Sequence, residues 1–178
     1  MTQFTLVNEN TADETAKPIL TQLKGKFGML PNFFGVLGMD GVSLDAFLAL
    51  QAKMGKSKFS KREQELLALA VANYNGCHYC VSAHTFTALK TGLTAEECVL
   101  AQQGQAEDPR EQTIINLALA IVSNKGQVDE MLVSTAKDAG FTDADIIEIT
   151  LLTAINTFTN WLNNVVNPPI DFPEVDLV

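Results

Sequence analysis

The run Gly76-Cys77-His78-Tyr79-Cys80-Val81-Ser82-Ala83-His84 holds two of the chain's three cysteines and both of its histidines. On a helix, residues three, four and seven apart share one face. Cys77, Cys80 and His84 therefore form one stripe, with two thiols in disulfide reach and an imidazole over the second. That pattern suits redox or acid–base chemistry. A thiol attacks a peroxide or disulfide as its thiolate, and an ordinary cysteine with a pKa near 8.5 is only about 3% ionised at pH 7. Lowering that pKa by about two units needs roughly 2.7 kcal/mol of differential stabilisation. The start of a helix favours an anion by about 0.3–1 kcal/mol. Proton acceptance by His84 from Cys80, giving an imidazolium–thiolate pair, would supply the rest.

A histidine in this role needs a partner, commonly a carboxylate, to fix its tautomer. Glu65 is the best candidate, because the Asn73–Gly76 turn would fold its helix back against the cysteine helix. Periodicity alone does not prefer it to Glu63, which also reads as a capping-box residue. A zinc site built from Cys77, Cys80, His84 and Glu65 is the rival reading. The histidine's place on the same helix suits a base better than a closed tetrahedral cage, so no metal and no cofactor are expected. Cys98 reads as buried and inert, His78 as solvent-facing or capping, and Tyr79 equally as packing or chemistry. Asn156, Asn160, Asn163 and Asn167 form a polar stripe, read as a solvated face or subunit contact, with a site-lining role for Asn156 or Asn160 as the alternative. Trp161 reads as core or interface. Lys53, Lys56, Lys58, Lys61 and Arg62 form a small basic patch, ordinarily solvated surface but able to steer an acidic donor protein or anionic substrate.

The elements that must carry these residues are helices throughout. Capping boxes stand at Thr11-Ala12-Asp13-Glu14, Ser60-Lys61-Arg62-Glu63 and Thr94-Ala95-Glu96-Glu97. Asp108-Pro109 fits an N-cap followed by proline at the first helical position. Further helices are expected over Ser43–Met54, from near Cys77 to Lys90, over Val128–Ala139, and from Thr142 to about Val166. Leu66, Leu67, Leu69, Ala70 and Val71 make the helix after Ser60 apolar almost all round, as a buried helix is. Pro168, Pro169 and Pro173 leave an extended tail. The expectation is an all-α bundle of seven or eight helices in a single domain: an N-terminal arm with first helices over 1–42, a helical core over 43–167 and a tail over 168–178.

The 178 residues are 47% hydrophobic and 19% charged, enough apolar material for a core. A formal charge of −9 argues against nucleic acid, whose phosphates would repel it. No basic region precedes an apolar stretch at Met1-Thr2-Gln3-Phe4, and no run reaches the roughly 18 apolar residues of a membrane span. With three cysteines, one of them unpaired, a cytoplasmic protein is expected.

Glu65, then Cys77-x-x-Cys80 after eleven intervening residues, then His84, resembles the signature of AhpD-like alkylhydroperoxidases within the carboxymuconolactone decarboxylase family. The likeness runs over roughly residues 45–125. Gly28-Met29-Leu30-Pro31-Asn32 and Asp171-Phe172-Pro173 resemble, more weakly, the family's longer peroxidase-related members. The resemblance implies an all-α fold assembled into trimers or hexamers. It implies Cys80 as the attacking thiol, Cys77 as the resolving thiol, His84 as base and Glu65 as the end of a proton relay. It also implies a hydroperoxide substrate and a dithiol reductant such as lipoamide on an acyl-transferase subunit. Only Cys80 stands four residues from His84, in keeping with this division. The chain departs from alkylhydroperoxidase D in carrying Tyr79 where that protein has a relay histidine, with His78 one residue too early. Thiol chemistry is expected to persist, while efficiency toward alkyl hydroperoxides is what the change affects. An acid–base enzyme of the decarboxylase type and a non-catalytic redox-sensing subunit are the alternatives from other classes.

Overall fold

The computed structural model describes residues 4–178. Met1–Gln3, where no leader region was expected, lie outside the described residues. The described chain carries nine helices and no strand, more helices than the seven or eight expected. They are α1 (Ala16–Phe27), α2 (Asn32–Leu37), α3 (Gly41–Met54), α4 (Lys61–Tyr74), α5 (His78–Lys90), α6 (Ala95–Gln102), α7 (Pro109–Ser123), α8 (Glu130–Asp138) and α9 (Asp143–Val166). One extra helix is α2, a six-residue turn of Asn32-Phe33-Phe34-Gly35-Val36-Leu37 that carries too little periodicity to be read.

The chain divides into two compact units, one of residues 4–57 with Val165–Asp171, the other of Lys58–Asn164 with Phe172–Val178. Helix α3 packs with α1 and α2, with Phe33 edge-on to Phe47 at 5.4 Å. In this first unit the expected capping box at Thr11–Glu14 does not form. Asp13 takes over the start of α1, its Oδ1 accepting from the N–H groups of Thr15 and Ala16 at 2.9 and 2.7 Å and its Oδ2 from Gly41 N–H at 3.1 Å. One carboxylate thus ties the entry of α1 to the entry of α3.

The second unit is built around α4, which packs against α5, α6 and α7. Leu66 through Ala72 are all buried, as the continuous apolar run requires. Leu66, Leu69 and Ala70 join Ala88, Leu93, Ala101 and Ile115 in one cluster that also takes in Cys98. Ser60 and Thr94 close full capping boxes on Glu63 and Glu97, and Asp108 caps α7 ahead of Pro109. Arg62 ties these helices together, bonding Glu97 of α6 and, at 2.6 Å, Glu111 of α7. Lys58 likewise pairs with Asp145 at the start of α9. Two members of the basic patch are therefore engaged internally, and the patch is weaker than its sequence suggests. Trp161 is 61% exposed within the chain, so it is not core.

Candidate functional site

The turn between α4 and α5 sets the geometry. Gly76 N–H bonds the Asn73 carbonyl at 3.0 Å and Cys77 N–H bonds the Ala72 carbonyl at 2.9 Å, the paired bonds of a Schellman C-terminus. Its left-handed residue is Gly76, φ +65°, where a side chain would be strained. Cys77 therefore ends one helix motif and begins the next. It is the N-cap of α5, and its Sγ accepts the Cys80 N–H at 3.2 Å. Cys77 and Cys80, with Cα atoms 5.2 Å apart, are joined as a disulfide. Both are buried.

One turn further along α5, His84 is half-buried, with Nδ1 2.8 Å from Oε2 of Glu65 on α4. Glu63, the competing carboxylate, is occupied elsewhere: it closes the Ser60 capping box and bonds Arg110 Nε at 2.8 Å. Burial pushes its pKa up, but the Ser60 N–H and the Arg110 guanidinium outweigh that and hold it below the ordinary carboxylate range. The structure thus brings Cys77, Cys80, His84 and Glu65 onto two adjacent helices, with the bonds Cys77–Cys80 and His84–Glu65.

The residues around them differ from the sequence reading in two respects. First, the middle of the asparagine stripe is buried rather than solvated. Asn160 and Asn163 are 0% and 4% exposed. Asn163 Nδ2 donates to Cys80 Sγ at 3.3 Å. Asn160 Oδ1 accepts from Asn75 Nδ2 at 3.0 Å, and Asn164 Nδ2 donates to the Asn75 carbonyl at 2.8 Å. Helix α9 thereby clamps the turn that presents Cys77. Of the stripe, Asn156 bonds only its own helix, at the Leu152 carbonyl, and Asn167 follows the last turn in a left-handed conformation, φ +51°. Second, the tail packs on α5. Phe172 sits against Tyr79 and Phe86 with ring centroids 5.7 and 5.6 Å away. Val175 N–H donates to Ser82 Oγ at 3.1 Å, and Val178 exchanges two bonds with the side chain of Asn73. Tyr79 is accordingly a buried packing residue. His78 is partly exposed, its Nε2 4.0 Å from Asp176.

Cys98 stands apart from the dithiol in the α4–α6 core, and burial pushes its thiol pKa up. Among the described residues no group of three or more His, Cys, Asp or Glu side chains is arranged to hold a metal ion. No described helix is long and apolar enough to cross a membrane. An open cavity of about 510 Å³ in the first unit, lined by Val7, Lys24, Met29 and Asn32 among others, contains none of the candidate residues.

Residues 43–107, which include all four candidate residues, match the carboxymuconolactone decarboxylase family. A stretch of 44 residues is 48% identical to alkyl hydroperoxide reductase AhpD of Corynebacterium kroppenstedtii, covering 25% of each protein. The match thus spans about a quarter of that relative's length. A peroxidase-related protein of Silicibacter sp. TM1040 superimposes with a TM-score of 0.83 at 22% identity, over 96% of this chain and 93% of that one. An AhpD-core, peroxidase-related protein of Ralstonia eutropha JMP134 gives 0.81 at 24% identity, over 98% and 93%. The debrominase Bmp8, solved with 2,3,4-tribromopyrrole, gives 0.75 at 19% identity, over 96% and 94%. At these identities the structures speak to the fold alone. Residues 43–107 thus resemble the carboxymuconolactone decarboxylase family, and the all-α fold is AhpD-like.

Proposed function

We propose that the protein is a thiol-dependent oxidoreductase that reduces hydroperoxides through a Cys77–Cys80 dithiol/disulfide cycle. The observation that carries this reading is the disulfide itself, closed between two cysteines of one α5 turn, in a chain whose His84 is bonded to Glu65. In the cycle the Cys80 thiolate attacks the terminal peroxide oxygen. The O–O bond breaks, the alcohol leaves with a proton, and Cys80 becomes a sulfenic acid. Cys77 then attacks that sulfur and expels water as the disulfide closes. Two electrons and two protons from an external dithiol restore both thiols.

His84 is the base in this scheme. With Nδ1–H donating to the Glu65 carboxylate, Nε2 keeps the lone pair that takes the Cys80 proton, and the carboxylate stabilises the imidazolium that results. The Tyr79 phenol can donate a hydrogen bond but is not a proton shuttle in this scheme. A hydroperoxide is the substrate class, a dithiol-bearing protein the reductant, and the working form is a homotrimer or hexamer in the cytoplasm.

Cys80→Ser should abolish hydroperoxide turnover, whereas Cys77→Ser should leave Cys80 trapped as a sulfenic acid or mixed disulfide, visible by intact-mass analysis after one peroxide addition. Full peroxidase activity in Cys80→Ser would sink the reading. The Glu65–His84 pair alone favours the acid–base alternative, since it would survive loss of both thiols. Activity on a lactone or β-keto acid that persists after alkylation of Cys77 and Cys80 would select it.

A further inference from the structure

Resting on the dithiol reading above, we propose that Asn163 is a positioning residue for the reaction, holding the Cys80 sulfur and favouring its anionic form over that of Cys77. Its carboxamide crosses from α9 to bond a sulfur 83 residues earlier, and it does so out of water. The other half of the amide, Oδ1, is buried and finds no hydrogen-bond partner among the described residues. Buried amides ordinarily satisfy both ends. Here the donor end is spent on the reacting sulfur and the acceptor end is left without a partner, an arrangement that packing alone would not select.

The orientation has a chemical consequence. A disulfide sulfur and a thiolate both accept hydrogen bonds, whereas a thiol also offers S–H. An amide that presents N–H to the sulfur therefore favours the thiolate and the disulfide over the thiol, the two states the cycle must reach. The two sulfurs are served differently. Cys77, at the N-cap, receives the Cys80 backbone N–H, which favours its own anion. That contact works against Cys80 as the nucleophile, so Cys80 needs a donor of its own. Asn163 is that donor, acting together with His84.

Beside Cys80, α5 carries His78, His84 and Lys90; of the elements packed on it, α4 carries Lys61, Arg62, Glu63 and Glu65, α6 carries Glu96 and Glu97, and the tail carries Glu174 and Asp176. Residues 156–164 of α9 carry no titratable side chain, so Asn163 acts by hydrogen bonding and not by charge.

The test reads ionisation directly and makes no use of peroxide turnover. In reduced protein carrying Cys77→Ser, the pH profile of iodoacetamide alkylation at Cys80 gives its thiolate midpoint. Asn163→Leu should raise that midpoint by about one pH unit and slow alkylation at neutral pH roughly tenfold. Asn163→Asp, of the same shape but with a carboxylate against the sulfur, should raise it further. A merely structural asparagine would lower the melting temperature and leave the midpoint where it was, and that result overturns the assignment. Should neither variant fold, the native chain serves. On reduction, the Asn163 side-chain amide resonances should shift and then titrate with the Cys80 midpoint, and resonances indifferent to both overturn it equally. A shifted midpoint in a protein that proves not to reduce hydroperoxides would keep Asn163 in place and remove only the substrate.

Discussion

At the scale of single residues, the chemistry depends on how His84 is held. Glu65 Oε2 lies 2.8 Å from Nδ1, a charge-assisted bond once the ring is protonated and one that fixes which nitrogen carries the lone pair before then. Its loss should therefore cost activity without costing the fold. His84→Gln, which removes the proposed base, should lower hydroperoxide turnover on the order of 10²-fold or more. Glu65→Gln keeps a hydrogen-bond acceptor but no charge, and it should fall between His84→Gln and the native protein. Steady-state rates with both variants fully reduced at the start, checked by thiol titration, decide this. Glu63→Gln is the control, because that carboxylate serves the Ser60 cap and Arg110, and it should change melting more than turnover.

At the scale of elements, one left-handed glycine lets α4 turn directly into α5. A Cβ on Gly76 would meet nothing within 4 Å, so the whole cost of Gly76→Ala is backbone strain, about 1–2 kcal/mol. For a chain of this size that is a fall of roughly 2–8 °C in melting temperature, read by circular dichroism in the oxidised protein. The tail acts on the same helix from its other side. Phe172→Ala removes the ring that Tyr79 and Phe86 pack on and should speed reduction of the buried disulfide by dithiothreitol. A reduction rate equal to that of the native chain would show that the tail does not guard the sulfurs. The caps at Ser60, Thr94 and Asp108 were legible in the sequence because donor and acceptor sit within three residues of each other. So was the Cys77–Cys80–His84 stripe, which needs only helical periodicity. Asn163 was not, since an amide stripe on a helix reads as polar whether it faces water or a sulfur 83 residues away. Asp13 was misread for a related reason. Its neighbours spell a capping box, but its second oxygen belongs to Gly41, a contact that no local pattern contains.

At the scale of the whole molecule, the second unit is braced by carboxylates that must stay ionised. Hydrogen bonding from Arg62, aided by the Thr94 N–H, lowers the Glu97 pKa to about 2. Burial acts to raise that of Asp145, yet Lys58 and Thr142 prevail and also hold it at about 2. Both are depressed relative to the unfolded chain, where such groups titrate near 4. The stability they contribute is thus complete above about pH 4 and is lost as pH falls toward 2. Acid unfolding followed by fluorescence should begin in that window, and Arg62→Leu should move its midpoint upward. The all-α class was legible from the recurrent caps and helix stops, whereas the two-unit division was not, because it depends on which helices pack together. Central to the proposed cycle is an activated Cys80 thiol within a dithiol that reduces peroxides. Stopped-flow oxidation of the fully reduced protein by hydrogen peroxide and by cumene hydroperoxide tests it most directly. Cys80 should be oxidised about 10²-fold or more faster than free cysteine at neutral pH, and a second step should then close the Cys77–Cys80 disulfide. Rates equal to those of free cysteine with both oxidants would contradict it.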